Sequence, residues 1–244
     1  GIKRHDAALE LIGGAASLLL AKDPSPVEVY NDINVHMVNF FTILRDRPQE
    51  LIGRLAFAPA ARLPYETILA QWKRRGPPQD PLIWAHEWFV LASQSFSGHL
   101  GTGWAHSRQG QSAGRRWINA VDRLYAAAER LQQVQIESGD WRKVVERYDG
   151  EDTLIYCDPP YVMATDPYPQ APKWTWPDYA HLLRALSEVK AKVILSTYPN
   201  QIHQTLLPTW KWDSLQVIKT SEGVTESNKI EKRQKATELL LMNF

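Results

Sequence analysis

Asp158-Pro159-Pro160-Tyr161 joins a carboxylate, two rigid imino acids and an aromatic ring in four consecutive positions. The apolar run just before them, Leu154 to Cys157, has strand character. Two prolines cannot continue a β-ladder, so that strand must end at Asp158. In open α/β sheets the carboxyl ends of strands are where ligands bind. The fixed backbone directs the Asp158 carboxylate, the Pro159 carbonyl and the Tyr161 ring into one small space. Two acceptors and one π-face suit a flat ring that bears an exocyclic amine. The plainer alternative is a loop with a helix-preceding acid and a buried tyrosine. At ordinary proline usage this tetrapeptide arises by chance in roughly one chain in a thousand of this length.

Three further stretches could hold a second ligand. Ala7-Ala8-Leu9-Glu10 reads as a short strand, Gly13-Gly14 as a tight turn, and Ala15–Leu20 as the start of a helix. Strand, glycine turn and helix bring backbone N–H groups close to a ligand. Val27–Tyr30 reads as a second strand ending at Asn31-Asp32. An acid there, about 20 residues after a glycine turn, is placed to hold ribose hydroxyls. Asp32 could equally cap the helix that follows, and the preceding glycine turn favours the ligand role. Val134–Glu137 is a third strand, followed by Ser138-Gly139-Asp140-Trp141. Asp140 and Trp141 could hold the amino group and the face of an adenine, or could cap the helix from Trp141 to Arg147.

These residues need a sheet to gather them. The 244 residues, 44% hydrophobic and 23% charged, suit one large globular domain or one domain with an insert. A net charge of +1 leaves no global field for nucleic acid, so a DNA-binding face must be a local basic patch. The single cysteine, Cys157, excludes an internal disulfide framework and fits a reducing, cytoplasmic setting. Lys3-Arg4 and the stretch Ala7–Leu20 have the outline of a secretory signal, but Glu10 and Gly13-Gly14 interrupt it. No apolar stretch is long enough to span a membrane. His36, His86, His99, His106, His181 and His203 show no ligand spacing, so no metal site is expected.

From Phe57 to Leu131 strand-like runs vanish. Trp84, Trp88 and Leu91 keep helical spacing and read mostly as core; Ile118, Val121, Leu124, Tyr125, Ala128 and Leu131 form an amphipathic helix. Lys73, Arg74, Arg75, Arg115 and Arg116 are candidate phosphate contacts. Ser95, Ser97 and Arg108, in or beside a glycine-rich polar loop running to Gly114, could reach a phosphate backbone or base edges. After the insert, α/β texture resumes. Tyr179, Leu182, Leu183, Leu186 and Val189 define a helix, and Val193–Thr197 a buried strand. Leu215–Thr220 and Thr237–Asn243 read as an antiparallel hairpin around the basic segment Lys229–Lys235. Pro167–Pro172 reads as a flexible flap beside the site. The expected architecture is an α/β sheet over 1–56 and 132–244, interrupted by a mostly helical insert at 57–131.

In this order the motifs form a recognisable set. Glu10-Leu11-Ile12-Gly13-Gly14-Ala15, Glu28-Val29-Tyr30-Asn31-Asp32, Gln94-Ser95-Phe96-Ser97-Gly98, Ser138-Gly139-Asp140-Trp141, Asp158-Pro159-Pro160-Tyr161 and Thr237-Glu238-Leu239-Leu240 run from Glu10 to the C-terminus. The chain resembles the Dam-like, site-specific DNA adenine-N6 methyltransferases of phage and restriction–modification contexts. The resemblance implies a Rossmann-like methyltransferase sheet, S-adenosylmethionine (SAM) as donor, and an inserted target-recognition region. It implies that Glu10, Gly13 and Gly14 line the methionine part of the donor. Asp32 would then hold its ribose, Asp140 and Trp141 its adenine, and Asp158, Pro159, Pro160 and Tyr161 the target adenine. Double-stranded DNA is the implied partner, with a cognate restriction endonuclease in the restriction–modification setting.

The chain departs from the family pattern in two places. It has Leu11-Ile12 where the family usually has Pro-Phe, and it opens Gly1-Ile2-Lys3-Arg4-His5 where the family has a Gly-Gly-Lys segment. Two other readings stay open beside adenine-N6 transfer. One is cytosine-N4 methylation, since the same geometry suits any exocyclic amine. The other is a non-catalytic DNA-binding relative with a degraded SAM pocket, and the two departures are its support.

Overall fold

The structure, a computed structural model, describes residues 5–96, 103–107, 110–160, 162, 174–218 and 235–244. Tyr161, Ser97 and Arg108 lie outside these residues, as do the proline-rich stretch 167–172, the segment 229–234 and much of the 98–114 loop.

The chain runs β1 (Ala7–Ile12), α1 (Ser17–Ala21), β2 (Val27–Asn31), then α2 (Val35–Asp46), α3 (Pro48–Phe57), α4 (Arg62–Arg75), α5 (Pro81–Gln94) and α6 (Ala113–Leu131). It continues through β3 (Val134–Glu137), α7 (Trp141–Tyr148), β4 (Thr153–Cys157) and α8 (Trp176–Glu188). The last elements are β5 (Lys192–Thr197), α9 (Gln201–Leu206), β6 (Lys211–Ile218) and β7 (Lys235–Met242). Two compact units result, one of residues 1–34, 133–220 and 224–244, the other of residues 35–132 with 221–223.

The first unit is a seven-stranded sheet in the order β3-β2-β1-β4-β5-β7-β6. Strands β1 to β5 are parallel, and β7 lies antiparallel between β5 and β6. Alternate strand positions feed one apolar face. Leu9, Val29, Ile155, Cys157, Val193, Leu195, Leu239 and Leu241 pack there with Trp141, Val144 and Val145 of α7 and Tyr179, Leu182, Leu183 and Leu186 of α8. Each such fully buried aliphatic side chain stabilises the fold by about 1.5–3 kcal/mol relative to exposure. α8 starts at a capping box: Thr175 Oγ1 accepts from Asp178 N and Asp178 Oδ2 accepts from Thr175 N at 2.9 Å. The C-terminal hairpin has the expected pairing, with β6 four residues longer at its start than the apolar pattern indicates. Exposed Trp212 and Lys211 carry no core signal.

The second unit is helical. Phe40 of α2 stacks on Phe89 of α5 with ring centroids 5.1 Å apart and planes 6° apart, and lies 5.1 Å from the Trp88 ring. Trp88 and Leu91 are buried, as their spacing indicates; Trp84 is half-buried and donates its indole N–H to His36 Nδ1 at 2.9 Å. α5 is capped by Asp80, which accepts from Leu82 N and Ile83 N, with Pro81 in the first turn. The helical unit starts at residue 35, whereas the sequence texture places the insert from 57. The physical reason is the partner of α2: its Met37, Phe40, Phe41, Ile43 and Leu44 bury themselves in the helical unit. Amphipathic spacing shows that a helix has an inner face and leaves open which layer it faces.

Candidate active site

The order β3-β2-β1-β4-β5 reverses direction between β1 and β4, and a crevice outside the carboxyl ends of the strands at such a point is where α/β sheets bind ligands. The carboxyl ends of β1, β2, β3 and β4 carry the Gly13-Gly14 turn, Asp32, Asp140 and Asp158 respectively. All four motifs therefore come to one edge of one sheet.

At the reversal the two strands are out of step by one residue. Glu10 pairs with Tyr156 and Ile12 with Cys157, so Leu11 is an extra residue on β1. Such a bulge leaves its residue out of the ladder. The Leu11 carbonyl instead accepts from Asn31 Nδ2 at 2.9 Å. The same amide donates to Gly139 O at 3.3 Å, and Asn31 Oδ1 accepts from Gly139 N at 3.0 Å. Asn31 is buried to 1% exposure. One side chain thus ties β1, β2 and the loop after β3 together at the edge where ligands bind. Sequence reasoning passes over Asn31; an amide beside Asp32 at the end of a buried strand is its only signal.

The turn after β1 is held from below by Tyr30. Gly13 N donates to Asn31 O at 2.9 Å, and Tyr30 Oη donates to Gly14 O at 2.8 Å. A Cβ on Gly13 would stand 2.3 Å from Tyr30 Cε2, so only glycine lets the turn rest on that ring. Gly14 has φ of 48°, in the left-handed region that favours glycine, and no atom lies within 4 Å of where its Cβ would be.

Glu10 is buried, and its Oε2 accepts from Leu19 N at 2.8 Å. Burial pushes its carboxyl up to about 7; Asp158 adds to the rise, while the N–H groups of Leu18 and Leu19 and the charge of Lys22 oppose it. Asp32 is also buried, Oδ2 accepting from Gly14 N at 2.8 Å and Oδ1 from Asn34 N at 2.7 Å. Burial raises its carboxyl above the ordinary value despite those donors. The N-cap-like bond to Asn34 and the hold on the glycine turn coexist in one carboxylate, whose remaining lone pairs can still accept from a ligand. Asp140 caps α7, accepting from Arg142 N at 2.9 Å, and pairs with the Arg142 guanidinium at 2.8 Å. Trp141 is 9% exposed, packs in the sheet core and carries Arg142 on its face at 4.8 Å. Its ring is thus spent on the core where the motif suggests a free adenine platform, because α7 turns it inward. Asp158 and Pro160 are exposed and Pro159 is buried.

The residues present suit a cationic nucleoside-type ligand. Burial and the neighbouring Asp158 make the Glu10 carboxylate costly to ionise without nearby positive charge. The sulfonium and ammonium of SAM are charges of the right sign for that pair. Glu10 and the Gly13-Gly14 turn would hold its methionine part, Asp32 its ribose, and Asp140 its adenine amino group. Among the described residues no cluster of three or more His, Cys, Asp or Glu side chains could hold a metal ion.

The candidate DNA contacts separate by their surroundings. Lys73, Arg74 and Arg75 are exposed in the last turn of α4, where cations complement the helix dipole and serve the fold as well. Arg115 and Arg116 are exposed in the first turn of α6, which has no acid. There the dipole opposes them, by about 0.3–1 kcal/mol each. Arg116 also donates to Ala105 O at 3.3 Å. Ser95 is buried, with its hydroxyl 2.7 Å from Tyr65 Oη, inside the helical unit rather than at a surface where DNA could reach it. The cause is the bridge between Ser95 and Trp104, which draws the start of the loop inward.

Comparison with known proteins adds a family. A model of the D12 class N6 adenine-specific DNA methyltransferases matches residues 107–223, a segment that contains Asp140 and Asp158 and leaves Glu10, Gly13 and Asp32 outside it. No curated protein matches the chain significantly. Among solved structures, two of the rRNA methyltransferase aviRa from Streptomyces viridochromogenes, at 2.4 Å and 1.5 Å, align with 99% of this chain and 77% of theirs. The identity is 13% in both, with TM-scores of 0.34 and 0.36. Over residues 107–223, just under half of its length, the chain is similar to the D12 class N6 adenine-specific DNA methyltransferases.

Proposed function

We propose that the protein methylates N6 of an adenine flipped out of double-stranded DNA at a specific sequence. The observation that carries this reading is the position of Asp158 and Pro159 across the β1–β4 reversal from Glu10 and the glycine turn. A target group and a methyl donor would meet there at the ends of adjacent strands. SAM supplies a methyl made electrophilic by its sulfonium. The protein's task is to bring a weakly nucleophilic amine in line with it. An adenine stacked in a duplex cannot reach the crevice, so the base must leave the stack.

In this reading the Asp158 carboxylate and the Pro159 carbonyl accept the two N6 hydrogens, and Tyr161 stacks on the base. Pulling both hydrogens to one side bends the nitrogen toward tetrahedral and aims its lone pair. The carboxylate also stabilises the positive charge that develops on nitrogen. Lys73, Arg74, Arg75, Arg115 and Arg116 contact phosphates, and Ser97 and Arg108 reach a phosphate backbone or base edges.

The test is transfer of labelled methyl groups from SAM to unmethylated genomic DNA, followed by nucleoside analysis. N6-methyladenine is the expected product. N4-methylcytosine would keep the geometry and change the base. DNA binding without transfer would refute the catalytic reading and favour a non-catalytic relative.

A further inference from the structure

Gln94 is the last residue of α5, and its two carbonyls hold two consecutive residues of a segment that returns beside it. The main-chain carbonyl is one of the orphan acceptors at a helix C-terminus, and it accepts from Ala105 N at 2.8 Å. The side-chain Oε1 accepts from Trp104 Nε1 at 3.1 Å. The other half of the amide, Nε2, donates to Pro59 O in the connection between α3 and α4, at 3.4 Å. An indole nitrogen only donates and a proline carbonyl only accepts, so this amide can stand in one orientation alone. Gln94 is 5% exposed.

The segments it joins are paired. Ser95 bridges Trp104 in antiparallel sense, and Phe96 N donates to Gly103 O at 2.9 Å. The Trp104 ring carries the Arg62 guanidinium 5.1 Å from its centre. Two of the proposed DNA contacts leave from the ends of this pairing: Ser97 follows Phe96, and Arg108 lies three residues beyond Ala105. A contact to a base edge discriminates only when the backbone that delivers it is held in place.

Resting on the function proposed above, we propose that Gln94 is a positioning residue for sequence discrimination. By holding the Trp104 indole and the Ala105 amide it fixes the paired segments from which Ser97 and Arg108 reach DNA. Buried in the helical unit, it acts through those segments and touches no DNA itself. An apolar side chain of the same length would fill the space and leave the indole N–H without its acceptor.

The test maps methylated positions after brief transfer from SAM to unmethylated genomic DNA at limiting protein. The readout is the ratio of methylation at the sequence preferred by the wild type to methylation at sequences one base pair away. Taken within one protein sample, this ratio is independent of the fraction that folds. Gln94→Met keeps the length and loses both amide bonds, and the ratio should fall about tenfold, within the range that one base pair carries. Trp104→Phe removes the donor from the other side and should lower the ratio by a similar factor. The double variant Gln94→Met/Trp104→Phe should do no worse than either single change, since both break the same bond. Gln94→Glu keeps an oxygen for the indole and, when protonated, a donor for Pro59 O, and should recover most of the ratio. A merely structural role lowers methylation at every site alike. A ratio within about twofold of wild type in both Gln94→Met and Trp104→Phe would therefore overturn the proposal. Wild-type protein that transfers no methyl would refute the proposed function instead, and hydrogen exchange then judges the clamp by itself. The Phe96 and Ala105 amides should exchange about tenfold faster in Gln94→Met than in wild type, and unchanged exchange overturns the proposal.

Discussion

Alanine at Gly13 should harm the protein more than alanine at Gly14, although Gly14 is the residue with positive φ. A Cβ at Gly13 would stand 2.3 Å from Tyr30 Cε2, 2.6 Å from Cδ2 and 3.2 Å from Asn31 O. Carbon atoms in contact settle at about 3.5–4.0 Å, so the ring must retreat by more than about 1 Å. It has nowhere to go: Tyr30 is fully buried and its hydroxyl holds Gly14 O at 2.8 Å. Forcing a packed ring aside costs about 1–3 kcal/mol, and losing its hydrogen bond adds about 0.5–1.5 kcal/mol. Gly14→Ala meets no atom within 4 Å and bears only the left-handed backbone strain, about 1–2 kcal/mol. The assay is thermal unfolding followed by far-ultraviolet circular dichroism. At roughly 2–4 °C per kcal/mol for a chain of this size, the mid-range costs of about 3 and about 1.5 kcal/mol lower Tm by roughly 6–12 °C for Gly13→Ala and by roughly 3–6 °C for Gly14→Ala. Tyr30→Leu combined with Gly13→Ala should cost less than the sum of the two single changes by about 1 kcal/mol or more, because the smaller side chain removes the clash. Equal shifts at the two glycines, or strict additivity with Tyr30→Leu, would refute the claim that the ring dictates the glycine.

Asp158→Ala should reduce methyl transfer by about 10²-fold or more while SAM affinity changes little; labelled-methyl incorporation beside equilibrium SAM binding checks this, and normal turnover would remove Asp158 from the chemistry. Replacing Arg115 and Arg116 by glutamine should weaken DNA binding and lower the slope of log K against log salt by up to about 0.9 for each phosphate no longer neutralised, and an unchanged slope would exclude both arginines as phosphate partners. The same pair of changes should leave stability equal or slightly higher, since both arginines oppose the α6 dipole. Glu10 has a pKa of about 7 in the folded protein against an ordinary value of 4.5, so the folded protein holds its proton more tightly than the unfolded chain. Its contribution to stability is therefore fully present below about pH 4.5 and is lost as pH rises through 7. In ligand-free protein, the difference in unfolding free energy between wild type and Glu10→Gln should shift by about 2 kcal/mol between about pH 5.5 and 7.5, with wild type losing ground at the higher pH. A difference independent of pH would show that Glu10 is ionised throughout.

The local chemistry of the strand ends is readable because it is written in adjacent residues. Pro159-Pro160 must stop β4 at Asp158, and Gly13-Gly14 must turn the chain after β1. What escapes reading depends on partners distant in sequence. Asn31 acquires its place only because the bulge at Leu11 leaves a carbonyl for it and because Gly139, 108 residues on, returns beside β2. Trp141 follows Asp140 and so looks available to a ligand; the rotation of α7 buries it, and no pattern local to Ser138–Trp141 sets that rotation. Ser95 is similar, since its partner Tyr65 lies 30 residues back on another helix. The start of the helical unit at residue 35 is not legible in the sequence for the same reason. His36–Arg45 reads as a helix from its own spacing, but whether it leans on the sheet or on α5 is decided by Phe89 and Trp88.

The helical unit occupies the position of a single connection. β2 and β3 are adjacent and parallel, with Asn31 opposite Glu137 and Glu28 opposite Val134. A crossover between such strands needs only about a dozen residues, yet here residues 35–132 stand in it. The chain leaves at the carboxyl end of β2 and must re-enter at the amino end of β3, roughly 13 Å away by the rise of four strand residues. That spacing is the whole of what the sheet demands of the insert. Any helical body whose ends meet it could be spliced in its place, with the Asn31 clamp and the β1–β4 crevice undisturbed. Under the proposed function, with the helical unit as the part that reads the DNA, the architecture separates inheritance of the chemistry from inheritance of the recognised sequence, and exchange of one contiguous segment is a route to new target specificities.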